Sequence, residues 1–254
     1  MGGGLPGVAY TAAVDGLGTD VVVALAALIA STVAAVAGFG GAAIMLPVLT
    51  WAFGVRDAIP ILTVSQLLGN LSRVWFNRSE VEGRVVQWFA LGAVPSAVAG
   101  GVVFANAPAG GLSRFLGAFL LMTVLYRHTA GGRQYRVMLR GFLPIGMSFG
   151  FLSAIVGGVG PMMAPFFLAY GLMRGAYIGT EALSTVAMHV TKLGVYGGYD
   201  LLSSRTVLIG LAIGGVMFVG SYLGKRILTV VPEGVFPVII DVVLIAGGTL
   251  LLIG

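Results

Sequence analysis

The chain has 254 residues, of which 58% are hydrophobic and only 9% charged, and its mean hydropathy is +1.02. Soluble domains carry about a quarter charged residues, so an ordinary soluble globule is excluded and an integral membrane protein indicated. The lack of cysteine excludes disulfide frameworks and thiolate metal sites. The net charge of +5 is spread over short connections, which argues against nucleic acid and reports membrane orientation instead.

Residues 1–19 read as a flexible Gly-rich tail. It has Asp15 and no Lys or Arg, and so lacks the basic start of a signal peptide. Apolar windows near the length of a bilayer-spanning helix follow at 20–37, 58–76, 86–105, 112–126, 177–197, 206–224 and 235–253. The strict alternation of a membrane β-barrel is missing, so the fold class is an all-α integral membrane protein.

The stretch "VAGFGGAAIMLPVL" (36–49) interrupts the first apolar region with Gly38, Gly40, Gly41 and Pro47. Glycine weakens a helix and an interior proline removes one of its hydrogen bonds, so a broken segment is expected over 20–54. A second one, 141–172, carries Gly157, Gly158, Gly160, Pro161 and Pro165. Superposing Pro47 on Pro165 gives an offset of 118 residues, which also pairs Gly40 with Gly158, Met45 with Met163 and Arg56 with Arg174. The chain therefore reads as two repeats, 20–126 and 141–254, joined by the basic, cytoplasmic linker 127–140. In each, a Gly/Pro-broken segment is followed by three transmembrane helices. If each broken segment crosses twice or re-enters, the second repeat is inverted, and Lys225 and Arg226 fall inside with Arg73, Arg78 and Arg84. That arrangement obeys the positive-inside rule better than parallel repeats do.

The helix after each break carries a polar stripe. Thr63, Gln66, Asn70, Arg73 and Asn77 form one, and Glu181, Thr185, His189, Lys192 and Tyr196 the other. Polar groups inside a membrane are costly and mark a pathway by default. Broken helices in matching places of two halves mark a transporter's binding site, and half-helix N-termini favour an anion. Gln66, Asn70, Arg73, Thr185, His189 and Lys192 are thus expected to contact a small anionic substrate, with Gly38, Gly40, Gly41, Pro47, Gly157, Gly158, Gly160, Pro161 and Pro165 shaping the site. Arg73 has an alternative reading as a snorkelling residue at a helix end. Glu181 and His189 are the candidates for proton coupling; an ion pair of Glu181 with Lys192 or Arg174 is the competing reading. Asp241 reads as an interfacial or pairing residue. Catalysis is unsupported: the two histidines, His128 in a loop and His189 in a helix, lack metal-ligand spacing, and no cofactor motif is present. Gly210/Gly214 and Gly220/Gly224 are helix-packing signals that serve either one protomer or a homodimer.

The two motifs "GFGGAAIMLPVL" and "GGVGPMMAPFFL", and the order of spans from about residue 20 to 254, resemble the sulfite exporter TauE/SafE family. In the second motif Val159 and Pro161 interrupt the glycine run. The resemblance implies a multi-pass protein of the inner membrane that moves sulfite or organosulfonates such as sulfoacetate. The alternatives are an uncoupled anion channel and a membrane subunit of a larger complex.

Overall fold

A computed structural model describes residues 16–130, 136–227 and 235–253. The tail up to residue 15 and the middle of the basic linker, 131–135, lie outside the described residues. Those described form helices α1 (Gly16–Ala37), α2 (Gly41–Asn77), α3 (Gly83–Asn106), α4 (Ala109–Ala130), α5 (Phe142–Val156), α6 (Gly160–Tyr170), α7 (Arg174–Gly198), α8 (Ser204–Ile227) and α9 (Val235–Ile253). Helix α1 thus starts ahead of residue 20, and α4 runs into the linker, placing His128 on a helix and not in a loop. Among the described residues, six segments are long and apolar enough to cross a membrane: Gly18–Ala37, Gly41–Glu80, Gly83–Asn106, Ala109–Tyr126, Leu139–Val156 and Ser204–Arg226. Helix α7 is outside that set because its polar stripe lowers its hydropathy.

The breaks fall on glycine, as the backbone requires. Gly38, Gly40 and Gly157 have φ of +79°, +103° and +82°, values that a side chain makes costly. Gly54, at φ +75°, bends α2 into a first arm, 41–53, and a second arm, 55–77. Gly171, at φ +105°, ends α6 at the corresponding point. The prolines do not break anything, contrary to expectation: Pro47, Pro60, Pro95 and Pro165 all lie within helices. Membrane helices tolerate proline where neighbouring groups satisfy the freed carbonyl.

The element order runs twice through the chain, and its register is 119 residues rather than 118. Gly38 and Gly157 are separated by that interval, as are the half-helix starts Gly41 and Gly160. The 118 spacing followed Pro47 and Pro165, which end no helix and are therefore not bound to the register of the breaks. At 119 residues, Gln66 matches Thr185, Asn70 matches His189, and Arg73 matches Lys192 instead of Thr191.

Packing between the halves is reciprocal: α1 lies on α8 and α5 on α3, while α2 lies on α8 and α7 on α3. Helices α2 and α7 meet at the centre, and α4 pairs with α9, where His128 and Asp241 are 3.0 Å apart. Glycine makes these approaches possible. Gly146 and Gly150 of α5 sit against the carbonyls of Phe89 and Ala93, and a side chain at either position would overlap them. On α8, Gly210 and Gly214 face Val64 and Leu68 of α2, and Gly220 and Gly224 face Leu28 and Thr32 of α1. Both glycine pairs are therefore used within one protomer.

These contacts also fix directions. Helix α8 runs alongside the second arm of α2 in the same sense, from Gly210 beside Val64 to Lys225, whose Nζ donates to the Phe76 carbonyl at 2.6 Å. Gly41 lies against Ala34 and Ala30, so the chain folds back on α1 at the first break.

Candidate anion site at the paired helix breaks

The two breaks meet. Gly158 lies against Ala42, and Gly160 against Phe39, so the N-termini of α2 and α6 flank one small cavity of about 30 Å³. That is room for about two waters. The first N–H groups of each helix have no intrahelical acceptor, and the helix dipole adds partial positive charge at the same point. Pro161 occupies the first turn of α6, where its missing N–H costs nothing.

Each polar stripe supplies a buried cation with the same task. Arg73 Nη1 donates to the Gly38 carbonyl at 2.6 Å, and Lys192 Nζ to the Gly157 carbonyl at 3.3 Å. Both cations thus cap the carbonyl end of the first helix in their half, where the dipole is negative. Lys192 also donates to Ser153 Oγ at 3.0 Å and to the Ser153 carbonyl at 3.3 Å. An ammonium has three N–H donors, so these three acceptors saturate it.

Arg73 makes further contacts. Its Nη2 donates to Asn70 Oδ1, and its Nη1 lies 3.2 Å from Glu181 Oε2. Two readings from the sequence are corrected here. Arg73 is 6% exposed and does not snorkel, and the partner of Glu181 is Arg73, in the other half, rather than Lys192 or Arg174. An unpaired buried carboxylate is expensive, which is why the one acidic residue at the breaks sits on a guanidinium. Glu181 Oε1 additionally accepts from the Thr185 hydroxyl at 3.2 Å.

Among the described residues at the cavity, three buried polar atoms lack a hydrogen-bond partner: Glu181 Oε2, which still has its ion pair with Arg73, and Gln66 Nε2 and His189 Nδ1, which have no such pairing. Gln66 is 5% exposed and His189 2%. Buried polar atoms are nearly always paired, so Gln66 Nε2 and His189 Nδ1 are groups that a water or a ligand in the cavity would satisfy.

Of the residues singled out in the sequence, Gly40, Gly41, Gln66, Asn70, Arg73, Gly157, Gly158, Gly160, Pro161, Thr185 and His189 line this cavity. Gly38 and Lys192 stand behind it, joined to it through Arg73 and Ser153. Pro165 lies within α6, away from the cavity. Pro47 instead lines a second, wider cavity of about 710 Å³ at the bend of α2, with Trp51, Asp57 and Arg205. Phe39, Ser153 and Met188 line the central cavity but were not anticipated. Ser153 has no counterpart in the first half, where Ala34 holds its place, so repetition carries no signal for it. Among the described residues no group of three His, Asp or Glu side chains is placed to hold a metal ion.

No curated protein and no solved structure matches the chain. The sequence pattern of one family does match, over residues 23–251, from within α1 to the last turn of α9 and across both breaks. With two glycine-broken helices meeting at a buried polar cavity, and with a match spanning nearly its whole length, the chain belongs to the sulfite exporter TauE/SafE family.

Proposed function

We propose that this protein is a secondary transporter that carries small sulfur-containing anions, sulfite or organosulfonates such as sulfoacetate, across the inner membrane. The observation that carries the reading is the pair of orphan side-chain groups, Gln66 Nε2 and His189 Nδ1, beside two half-helix N-termini. The anion sits on the free backbone N–H groups, with Gln66, Asn70, Thr185 and His189 around it. Arg73 and Lys192 hold the breaks in place and supply the positive field. The sulfur chemistry comes from family membership; the site itself calls for a compact oxyanion.

The two halves are read as inverted repeats that rock against each other. Support comes from directions: α1 and its counterpart α5 each lie on the third membrane-spanning element of the opposite half, and Lys225 shares an end with Arg78. A central cavity of about 30 Å³ suits a carrier that closes around its substrate better than an open pore. Glu181 is the proposed proton carrier, with His189 about two turns further along α7 on the same cavity as a second candidate.

The test is flux through the purified chain reconstituted alone. Vesicles should take up sulfite saturably, with competition from methanesulfonate and little from acetate, and should concentrate it when a proton gradient is imposed. Flux that never concentrates would support the channel alternative. An absence of flux would favour a subunit that works only within a larger complex.

A further inference from the structure

The Glu181–Arg73 ion pair is unusual for its place. Helix α7 of one half and α2 of the other are bridged by it, and both partners line the cavity. A carboxylate is a planar oxyanion on a short stem. In this conformation it occupies the guanidinium edge that a sulfur oxyanion entering the cavity would need. Arg73 otherwise gives its N–H groups to Gly38 and Asn70, so the direction held by Glu181 Oε2 is the one a substrate would take over. Among the described residues lining the cavity, no other Asp or Glu is present.

We propose that Glu181 is a built-in competitor of the substrate: its carboxylate and the transported anion exclude each other from Arg73, so anion binding requires protonation of Glu181. This rests on the anion-transport reading above and adds the sign of the coupling. A proton from solvent passes to Glu181 Oε2, the acid leaves Arg73 Nη1, and Nη1 donates to an oxygen of the anion. The proton and the anion are then bound together and cross in the same direction.

Charge bookkeeping at the cavity agrees. Nearest Glu181 are Arg73 from α2 and, about one turn away on α7 itself, Tyr177, while His189 and Lys192 lie about two and three turns further along α7. Towards the start of α7, Glu80 sits against Gly175, and α3, which also packs on α7, carries Arg84. Helix α5 has no titratable residue, and α6 has only Tyr170, at its far end. With Arg73 and Lys192 charged and Glu181 ionised, the formal balance is one positive charge. A dianion such as sulfite would leave the closed site net negative, and one proton on Glu181 restores neutrality. Low dielectric makes that difference count.

The experiment compares anion affinity of the purified wild type with that of Glu181→Gln from pH 6 to pH 9, using sulfite and methanesulfonate as probes. In the ratio of the two affinities the ionisation of the anion itself cancels. Competition predicts that the wild type loses affinity relative to the variant by about tenfold per pH unit once Glu181 is ionised. It also predicts that the variant binds more tightly at pH 9. A ratio that stays flat with pH, while both proteins bind, overturns the competition and leaves the transport reading intact. Failure of the wild type to bind either anion overturns both. Should Glu181→Gln not fold, proton uptake by the wild type on binding methanesulfonate, which does not titrate in this range, decides alone. About one proton per anion supports the proposal and none overturns it.

Discussion

At the scale of single residues, the site separates groups that wait for a ligand from groups already satisfied, and the two should respond differently to removal. Gln66 Nε2 has no partner to lose. Replacing it in Gln66→Leu deletes a hydrogen bond to a charged ligand, of about 1.5–3 kcal/mol. Sulfite affinity should fall roughly ten- to a hundredfold, read by titration calorimetry, while the melting temperature of the purified protein hardly moves. Lys192 is the opposite case. It is fully buried and satisfies three acceptors. Lys192→Met would leave the Gly157 carbonyl unpaired in the interior at about 1–3 kcal/mol, while the Ser153 carbonyl keeps the Gly157 N–H at 2.9 Å. The melting temperature should drop by several degrees, with Lys192→Arg recovering part of the loss. If instead Lys192→Met melts normally and binds no sulfite, Lys192 is a ligand and not a brace.

At the scale of elements, the break is the unit, and its glycines are constrained by conformation and by space together. Gly38 combines φ +79° with the ring of Tyr177 lying over its Cα. Gly38→Ala therefore meets a left-handed penalty of about 1–2 kcal/mol and an overlap with a buried aromatic. It should unfold or misassemble in detergent, whereas Gly171→Ala, at φ +105° but with open space around its Cα, should cost only the backbone term. Fluorescence-detected size-exclusion profiles of the two variants would show the difference. The glycine breaks were legible in the sequence because helix propensity is local. Which residue does the breaking was less so. Pro47 stands inside the first arm of α2 and Pro165 inside α6, and reading the register from them displaced the second half by one residue, setting Arg73 against Thr191, one position from Lys192. The link from Arg73 to Glu181 was not legible at all. It joins two helices through tertiary packing, and no spacing along the chain encodes which carboxylate a guanidinium will meet.

At the scale of the whole molecule, the remaining matter is which ends of the helices share a side of the membrane. Parallel repeats put Lys225 across the membrane from Arg78; inverted repeats put them together. The Lys225 ammonium reaches the Phe76 carbonyl at 2.6 Å, two residues from Arg78, while Asp57 and Arg205 line the wide cavity at the opposite end of the same two helices. Basic residues gather at the Arg78 end, with Arg84 and Arg226 nearby in the chain, so that end is expected in the cytoplasm. The chain has no cysteine, so each introduced thiol is unique. Single cysteines at Arg78 and Lys225 should react with a membrane-impermeant maleimide only after the membrane is opened. Those at Asp57 and Arg205 should react in intact cells. Labelling of Lys225 and Arg78 from opposite sides would sink the inverted arrangement, and with it the idea that two half-helix N-termini approach one anion from opposite faces of the bilayer. Labelling from the same side would leave each half contributing one helix end, one latch cation and one orphan polar group to a common site. The site's asymmetry would then reside chiefly in Glu181, the acid that the first half replaces with Leu62.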